Sequence, residues 1–224
     1  MSAKIIAVAN QKGGCGKSTV AMHLAGALAL EGLRVQVADA DKQNTATKWS
    51  AHAPDNKPFP AIVVNIAAAG AKVHREIQKA FDLFDVIIVD CPPNMESVVP
   101  ASVLLVSDLV IMAMQPTMTD LDSLADFLPL VERSQASNPG LQSRVLVNRM
   151  KRSAMSALTL EALADRGIVR MNVTIGDRAV YPEGDLMGTH ILAQKGVPAA
   201  ARVEIKALRD EVMAILALGD DNDE

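Results

Sequence analysis

An unbroken apolar run, Ile5-Ile6-Ala7-Val8-Ala9, passes directly into Asn10-Gln11-Lys12-Gly13-Gly14-Cys15-Gly16-Lys17-Ser18-Thr19. The run reads as a strand buried on both faces. Gly13, Gly14 and Gly16 then supply backbone angles that side-chain-bearing residues avoid, and they let the main chain close on a ligand. A helix is expected from Lys17 to about Glu31, with Gly32 at its C-terminal end. Strand, glycine turn and a helix opening on Lys-Ser form a phosphate cradle, in which loop N–H groups and the positive helix end point at the anion. Gly13, Gly14, Cys15, Gly16, Lys17, Ser18 and Thr19 are therefore the expected phosphate-binding residues. Lys17 reaches the β- and γ-phosphates, and the Ser18 hydroxyl ligates Mg²⁺. The general pattern places a glycine five positions before Gly16. Here that residue is Gln11, and a second lysine, Lys12, follows it.

The rest of the chain repeats the alternation. Strands are expected near Lys4–Ala9, Val35–Ala38, Ile62–Ile66, Val86–Val89, Leu109–Met114, Arg144–Val147 and Val169–Thr174. Helices are expected near Thr45–His52, Ala71–Phe84, Asp120–Ser134, Met155–Ala164 and Ala199–Leu218. The pattern predicts an α/β chain, a single-domain P-loop NTPase whose mostly parallel sheet carries helices on both faces. The expected domain covers residues 1–218, followed by an acidic tail at 219–224. Asp39, Asp41, Asp90, Gln115 and Asn148 fall at strand ends, where open α/β sheets bind ligands. Asp90 ends a fully apolar strand and reads as a Mg²⁺ carboxylate. It reads equally as a cap for the turn that follows.

Aromatic residues make up 3% of the chain, which leaves little material for stacking single-stranded bases. The formal charge of −4 comes from the last five residues, which carry four acids. Twelve of the 22 basic residues lie beyond position 130, so a basic surface in the C-terminal half is compatible with an acidic whole. No apolar run reaches the ~18–20 residues needed to span a bilayer. The chain enters its first strand at once, so no signal peptide and a cytoplasmic location are expected. Cys15 and Cys91 are too few for a metal framework. They read as small residues in tight turns or as oxidisable groups beside the nucleotide.

Lys-Gly-Gly-Cys-Gly-Lys-Ser-Thr at 12–19 resembles the deviant Walker A loop of the ParA/MinD ATPases, whose signature is the extra lysine. The resemblance runs over about residues 3–215 and is most similar to small ParA-type partition ATPases. It implies a Mg²⁺-dependent, slow ATP hydrolase that binds ATP and ADP and forms a homodimer with ATP sandwiched between subunits. By the same resemblance Lys12 reaches the nucleotide of the other subunit, so Lys12 and Lys17 join the catalytic set. Phe84–Pro93 resembles a Walker B strand with Asp90 at its end. Asp39-Ala40-Asp41-Lys42-Gln43 resembles the family's Asp-x-Asp-Pro-Gln segment, which implies that Asp41 positions the attacking water and Asp39 supports the Mg²⁺ shell. The family's proline is Lys42 here, which removes a φ constraint from the segment. Asp39 reads alternatively as a helix cap. Asn148, with Arg149, matches a strand-end Asn that reads the adenine edge, or else is a turn residue in the left-handed region. Gln115-Pro116-Thr117, with Asp120 or Asp122 after it, resembles a family turn near the base or the dimer interface.

Arg202, Lys206 and Arg209 are spaced i, i+4, i+7 on the last helix and share one face. They form either a stripe for DNA phosphates or an ordinary solvated face. The resemblance implies non-specific binding of double-stranded DNA, nucleoid association when ATP-bound, and an adaptor of the ParB kind that stimulates hydrolysis. The cargo class is a plasmid, a chromosome region or a large protein assembly such as a bacterial microcompartment. The alternatives are a MinD-like membrane-cycling ATPase and a metabolic ATP-dependent enzyme of the same fold. The acidic terminus disfavours a membrane partner, because anionic lipid repels it.

Overall fold

The computed structural model describes residues 2–93 and 97–218. The expected acidic tail at 219–224 lies outside the described residues. Six strands form one parallel sheet: β1 (Lys4–Ala9), β2 (Val35–Asp39), β3 (Ile62–Asn65), β4 (Val86–Asp90), β5 (Leu109–Met114) and β6 (Gln142–Val147), in spatial order β3-β2-β4-β1-β5-β6. Helices α1 (Lys17–Ala29), α2 (Thr45–Ala51), α3 (Val73–Gln78), α4 (Val98–Leu104), α5 (Met118–Ser137), α6 (Ala154–Asp165), α7 (Val180–Leu186) and α8 (Ala199–Leu216) complete it.

Both faces of the sheet are covered, which is why β1, β2, β4 and β5 are apolar almost without alternation. Ile6, Val8, Val37, Ile88, Ile111 and Leu146 pack into one layer with α1 and α8. Ile5, Ala7, Ile87, Val89, Val110 and Met112 pack into the other with α5. The register sets Asp39 opposite Asp90, and Asp90 opposite Val8, so the polar strand ends meet beside the turn after β1.

Four elements differ from expectation. Residues 169–174 form no strand: a single bridge, Arg170 with Val145 of β6, joins them to the sheet, and a second, Gly176 with Met150, follows beyond them. The helix expected over 71–84 is a 3-10 turn, Ala67–Lys72, with Gly70 at positive φ, followed by the short α3. Helices α4 and α7 were not expected, because each is seven residues long and contains a proline.

The segment from α7 to residue 194 straps across α1 and α2. His23 of α1 donates from Nε2 to the Tyr181 carbonyl (3.0 Å), and its Nδ1 accepts the Ile191 N–H (3.2 Å). Its ring meets Trp49 edge-on at 5.2 Å. His190 lies over Gly26, where an added Cβ would stand 2.3 Å from the imidazole. Burial lowers His23 to about 3, against the pull of the Tyr181 carbonyl and helped by His190. Burial lowers His190 to about 4, with Lys57 adding to it. Both folded values lie below the free value, so the unfolded chain takes up protons first. The stability held by the neutral rings is complete above pH ~6.5 and is lost as pH falls toward the folded values. Each histidine should contribute a slope of ~1.4 kcal/mol per pH unit below pH 6.5. Denaturant unfolding between pH 7 and 4.5 measures this. The slope should shrink in His190→Gln, and an unchanged profile would refute it.

Candidate functional site

The turn between β1 and α1 is built from behind by carbonyl contacts. Lys12 O accepts from Lys17 Nζ (2.9 Å) and Cys15 Sγ (3.3 Å). Gly14 O accepts from Gln115 Nε2 (3.0 Å), and Cys15 O from Asn148 Nδ2 (2.9 Å). The carbonyls are thus tied down, while among the described residues the N–H groups of Gly13, Gly14 and Gly16 find no acceptor. A concave run of free N–H groups at the start of a thirteen-residue helix is an anion site. Gly16 has φ +95°, and an added Cβ would lie 2.1 Å from the Asn148 amide nitrogen, so only glycine fits.

Asn148 is nine-tenths buried, and its Oδ1 also accepts the Arg149 N–H (2.9 Å). Its placement corrects the turn reading, because the left-handed residue here is Arg149 at φ +52°. Asn148 braces the loop and keeps one amide hydrogen for a ligand. It borders a recess of about 110 Å³ lined by Gly16, Thr19, Arg149, Asp177, Tyr181 and Pro182.

The two expected metal carboxylates part ways. Asp90 is 1% exposed, and neither of its oxygens has a hydrogen-bond partner among the described residues. Burial raises its carboxyl to about 7; Asp39 raises it further, and Ser18 and Lys17 oppose this. An unpaired buried carboxylate is costly to maintain alone. Beside the Ser18 hydroxyl it forms the oxygen donor set that a hard divalent cation takes. Asp39 is spent differently. Its Oδ2 accepts the Thr47 N–H (2.9 Å) and Thr47 Oγ1 (2.8 Å), and its Oδ1 accepts the Asp41 N–H (3.2 Å). Asp39 thus holds the first turn of α2 while standing opposite Asp90 on the neighbouring strand. Asp41 stands half-buried beside a groove of about 550 Å³ lined also by Lys42, Pro92, Pro93, Ser97 and Val98.

Lys12 lies on the rim of the cradle. Its ammonium pairs with Asp120 (2.5 Å) and donates to Thr119 Oγ1 (3.0 Å). Asp120 is 1% exposed and also accepts from Thr117 Oγ1 (2.6 Å) and the Gln115 N–H (3.1 Å). Of the two acids that the sequence left open, Asp120 is the one at the site, and the Thr117-x-x-Asp120 capping pattern is its signal. Gln11, at the missing-glycine position, donates to Ser123 O (2.7 Å) and so ties the loop to α5. Burial raises both thiols, so neither Cys15 nor Cys91 is a thiolate at neutral pH.

The stripe on α8 is partly engaged within the chain. Arg202 donates to the carbonyls of Leu192 (2.9 Å) and Gln194, and Arg209 pairs with Glu31 and Asp210. Lys206 alone of the three is exposed without an ion pair among the described residues. No helix among the described residues is long and apolar enough to cross a membrane.

Comparison with known proteins agrees with this geometry. The chain is 26% identical over 209 residues to the maintenance of carboxysome distribution protein A of Halothiobacillus neapolitanus, covering 93% of this chain and 95% of that one. It is 30% identical over 195 residues to the protein of the same name from Gloeobacter kilaueensis, covering 86% of each. Among solved structures, Mycobacterium smegmatis cobyrinic acid a,c-diamide synthase with ADP and magnesium superposes with TM-score 0.77 at 23% identity, over 97% of this chain and 96% of that one. The Cyanothece McdA(D38A)–ATP complex gives TM-score 0.77 at 17% identity, over 96% and 97%. The family model for the CobQ/CobB/MinD/ParA nucleotide binding domain matches residues 6–180, the stretch holding the cradle, Asp39, Asp90 and Asn148. The chain therefore belongs to the CobQ/CobB/MinD/ParA nucleotide-binding domain family.

Proposed function

We propose that this chain is a Mg²⁺-dependent, ParA-type ATP hydrolase that dimerises around ATP, binds double-stranded DNA non-specifically and positions a cargo. The observation that carries the reading is Lys12: a second cation on the rim of a complete phosphate cradle, where a facing subunit can receive it. The relatives add support, since they are named for carboxysome distribution, and others for chromosome partitioning.

The turn N–H groups and Lys17 hold the β- and γ-phosphates. Ser18 and Asp90 hold Mg²⁺, which supplies charge neutralisation on the phosphoryl oxygens. Asn148, Arg149 and the recess beside them receive the base end. Asp41 orients the attacking water, and the partner subunit's copy of Lys12 stabilises charge on the transferring group. Hydrolysis is slow in the single chain, because this cation sits on the chain's own Asp120 until a second subunit arrives. An adaptor protein accelerates it, and the chain resides in the cytoplasm, on the nucleoid when ATP-bound.

Binding to a duplex of arbitrary sequence, read by fluorescence anisotropy at two salt concentrations, tests the reading. Tight binding is expected with Mg²⁺–ATP alone, falling steeply with salt as phosphate contacts release counterions. Lys206→Ala should flatten the salt slope by about one charge per subunit. Absence of binding in every nucleotide state overturns the DNA-bound positioning role.

A second reading is favoured by the groove beside Asp41, which leaves room for a small substrate next to the γ-phosphate, as a metabolic ATP-dependent enzyme requires. ATP turnover that is unaffected by DNA, and appears only with a carboxylate substrate, would favour it.

A further inference from the structure

We propose that Thr47 is a positioning residue for ATP hydrolysis, holding the segment that carries Asp41 through its double hydrogen bond to Asp39. The proposal rests on the reading above that Asp41 orients the attacking water.

In this chain Lys42 stands where the family pattern has proline, so φ at that position is not fixed by a ring. Something else must define the path from Asp39 to α2. The structure offers a closed set of contacts. Asp39 ends β2 with its carboxylate wholly buried, and Thr47 brings it two donors eight residues later, from N–H (2.9 Å) and Oγ1 (2.8 Å). The other carboxylate oxygen holds the Asp41 N–H (3.2 Å). Asp41 O and Oδ1 then accept the Asn44 and Gln43 N–H groups, each at 3.0 Å. Asn44 turns the chain at φ +57°, and Asn65 at the end of β3 donates to its side chain. The Ala40 N–H bonds to Asp90 O (3.0 Å), which fixes the near end against the strand of the metal carboxylate. Asp39 is the node of this set, and the Thr47 hydroxyl is its one side-chain donor among the described residues.

Without that hydroxyl, the buried carboxylate keeps only backbone donors and shifts or rotates to recover a partner. The Asp41 N–H moves with it. Misplacing a catalytic group by about 1 Å reduces rate by as much as 10²-fold, whereas the phosphate cradle lies on another turn and is not touched. The expected signature is a loss in turnover without a loss in nucleotide affinity.

The test compares Thr47→Val, which keeps the shape without the hydroxyl, with Thr47→Ser, which keeps the hydroxyl. Each is assayed for Mg²⁺–ATP hydrolysis, ADP affinity by calorimetry, thermal midpoint and emission of Trp49, the chain's single tryptophan, two residues along α2. Thr47→Val should hydrolyse ATP at least about 10-fold more slowly, with ADP affinity within about 2-fold and a shifted Trp49 emission. Thr47→Ser should stay within about 2-fold in rate. Thr47→Ala carries the same comparison if the valine does not fold. Wild-type turnover in Thr47→Val, or equal loss in the serine and valine variants, overturns the proposal. Asp41→Asn separates the two readings. If it hydrolyses ATP normally, the assignment of Asp41 fails and this inference falls with it. If it is inactive while Thr47→Val is normal, only the role of Thr47 fails.

Discussion

Lys17→Ala is expected to abolish measurable nucleotide binding. The lysine is 6% exposed and belongs to the second layer of the cradle, where its ammonium curls back onto Lys12 O and lies 3.9 Å from Cys15 Sγ. Phosphate oxygens are stronger acceptors than that carbonyl, so the ammonium has a better partner to turn to. Truncating one member of a desolvated charge pair costs roughly 2–5 kcal/mol, which corresponds to about 30- to 5,000-fold in affinity. Calorimetry with Mg²⁺–ADP measures it directly. The chain should remain folded, because no ion pair among the described residues depends on Lys17. ADP affinity within a few-fold of wild type would overturn the assignment of the cradle.

Lys12→Ala is expected to do the reverse: bind nucleotide and fail to dimerise. The lysine is on the rim, and its pair with Asp120 is internal to the chain. The buried Asp120 loses its cation in this variant and keeps the Thr117 hydroxyl and the Gln115 N–H, so the thermal midpoint is read beside binding to show that the chain is folded. In a two-fold dimer the lysine acts twice. At ~2 kcal/mol or more for each truncated pair, the dimer dissociation constant should rise about 10³-fold. Sedimentation with a non-hydrolysable ATP analogue reads this out, alongside ADP affinity within about 3-fold of wild type. An ATP-dependent dimer of unchanged strength would remove Lys12 from the interface.

The sheet and the cradle were legible because each rests on local chemistry. A strand buried on both faces must be apolar between its ends, and β1, β4 and β5 are, with Lys4 and Asp90 only at the ends of β1 and β4. A turn with φ +74° at Gly14 and +95° at Gly16 must be glycine. What the sequence hid are contacts between distant segments. The spacing of Arg202 and Arg209 places both on one face of α8, but it says nothing of the carbonyls at 192 and 194 or of Glu31, which claim them. Asp39 shows the same limit. Its place at a strand end says nothing of Thr47, whose two donors reach its carboxylate from α2. Residues 169–174 look like a strand because they alternate. They meet β6 at one bridge, Arg170 with Val145, too little to extend the ladder.

The imidazole lodged over Gly26 ties two remote positions into a single heritable unit. Changing either by itself costs stability: a side chain at 26 collides with the ring, and a smaller residue at 190 opens a void against α1. Drift along this lineage must therefore pass through both sites together. Relatives that carry alanine or a larger residue at the first position should carry a residue smaller than histidine at the second, and a pair of compensating substitutions should recover stability that either one alone costs.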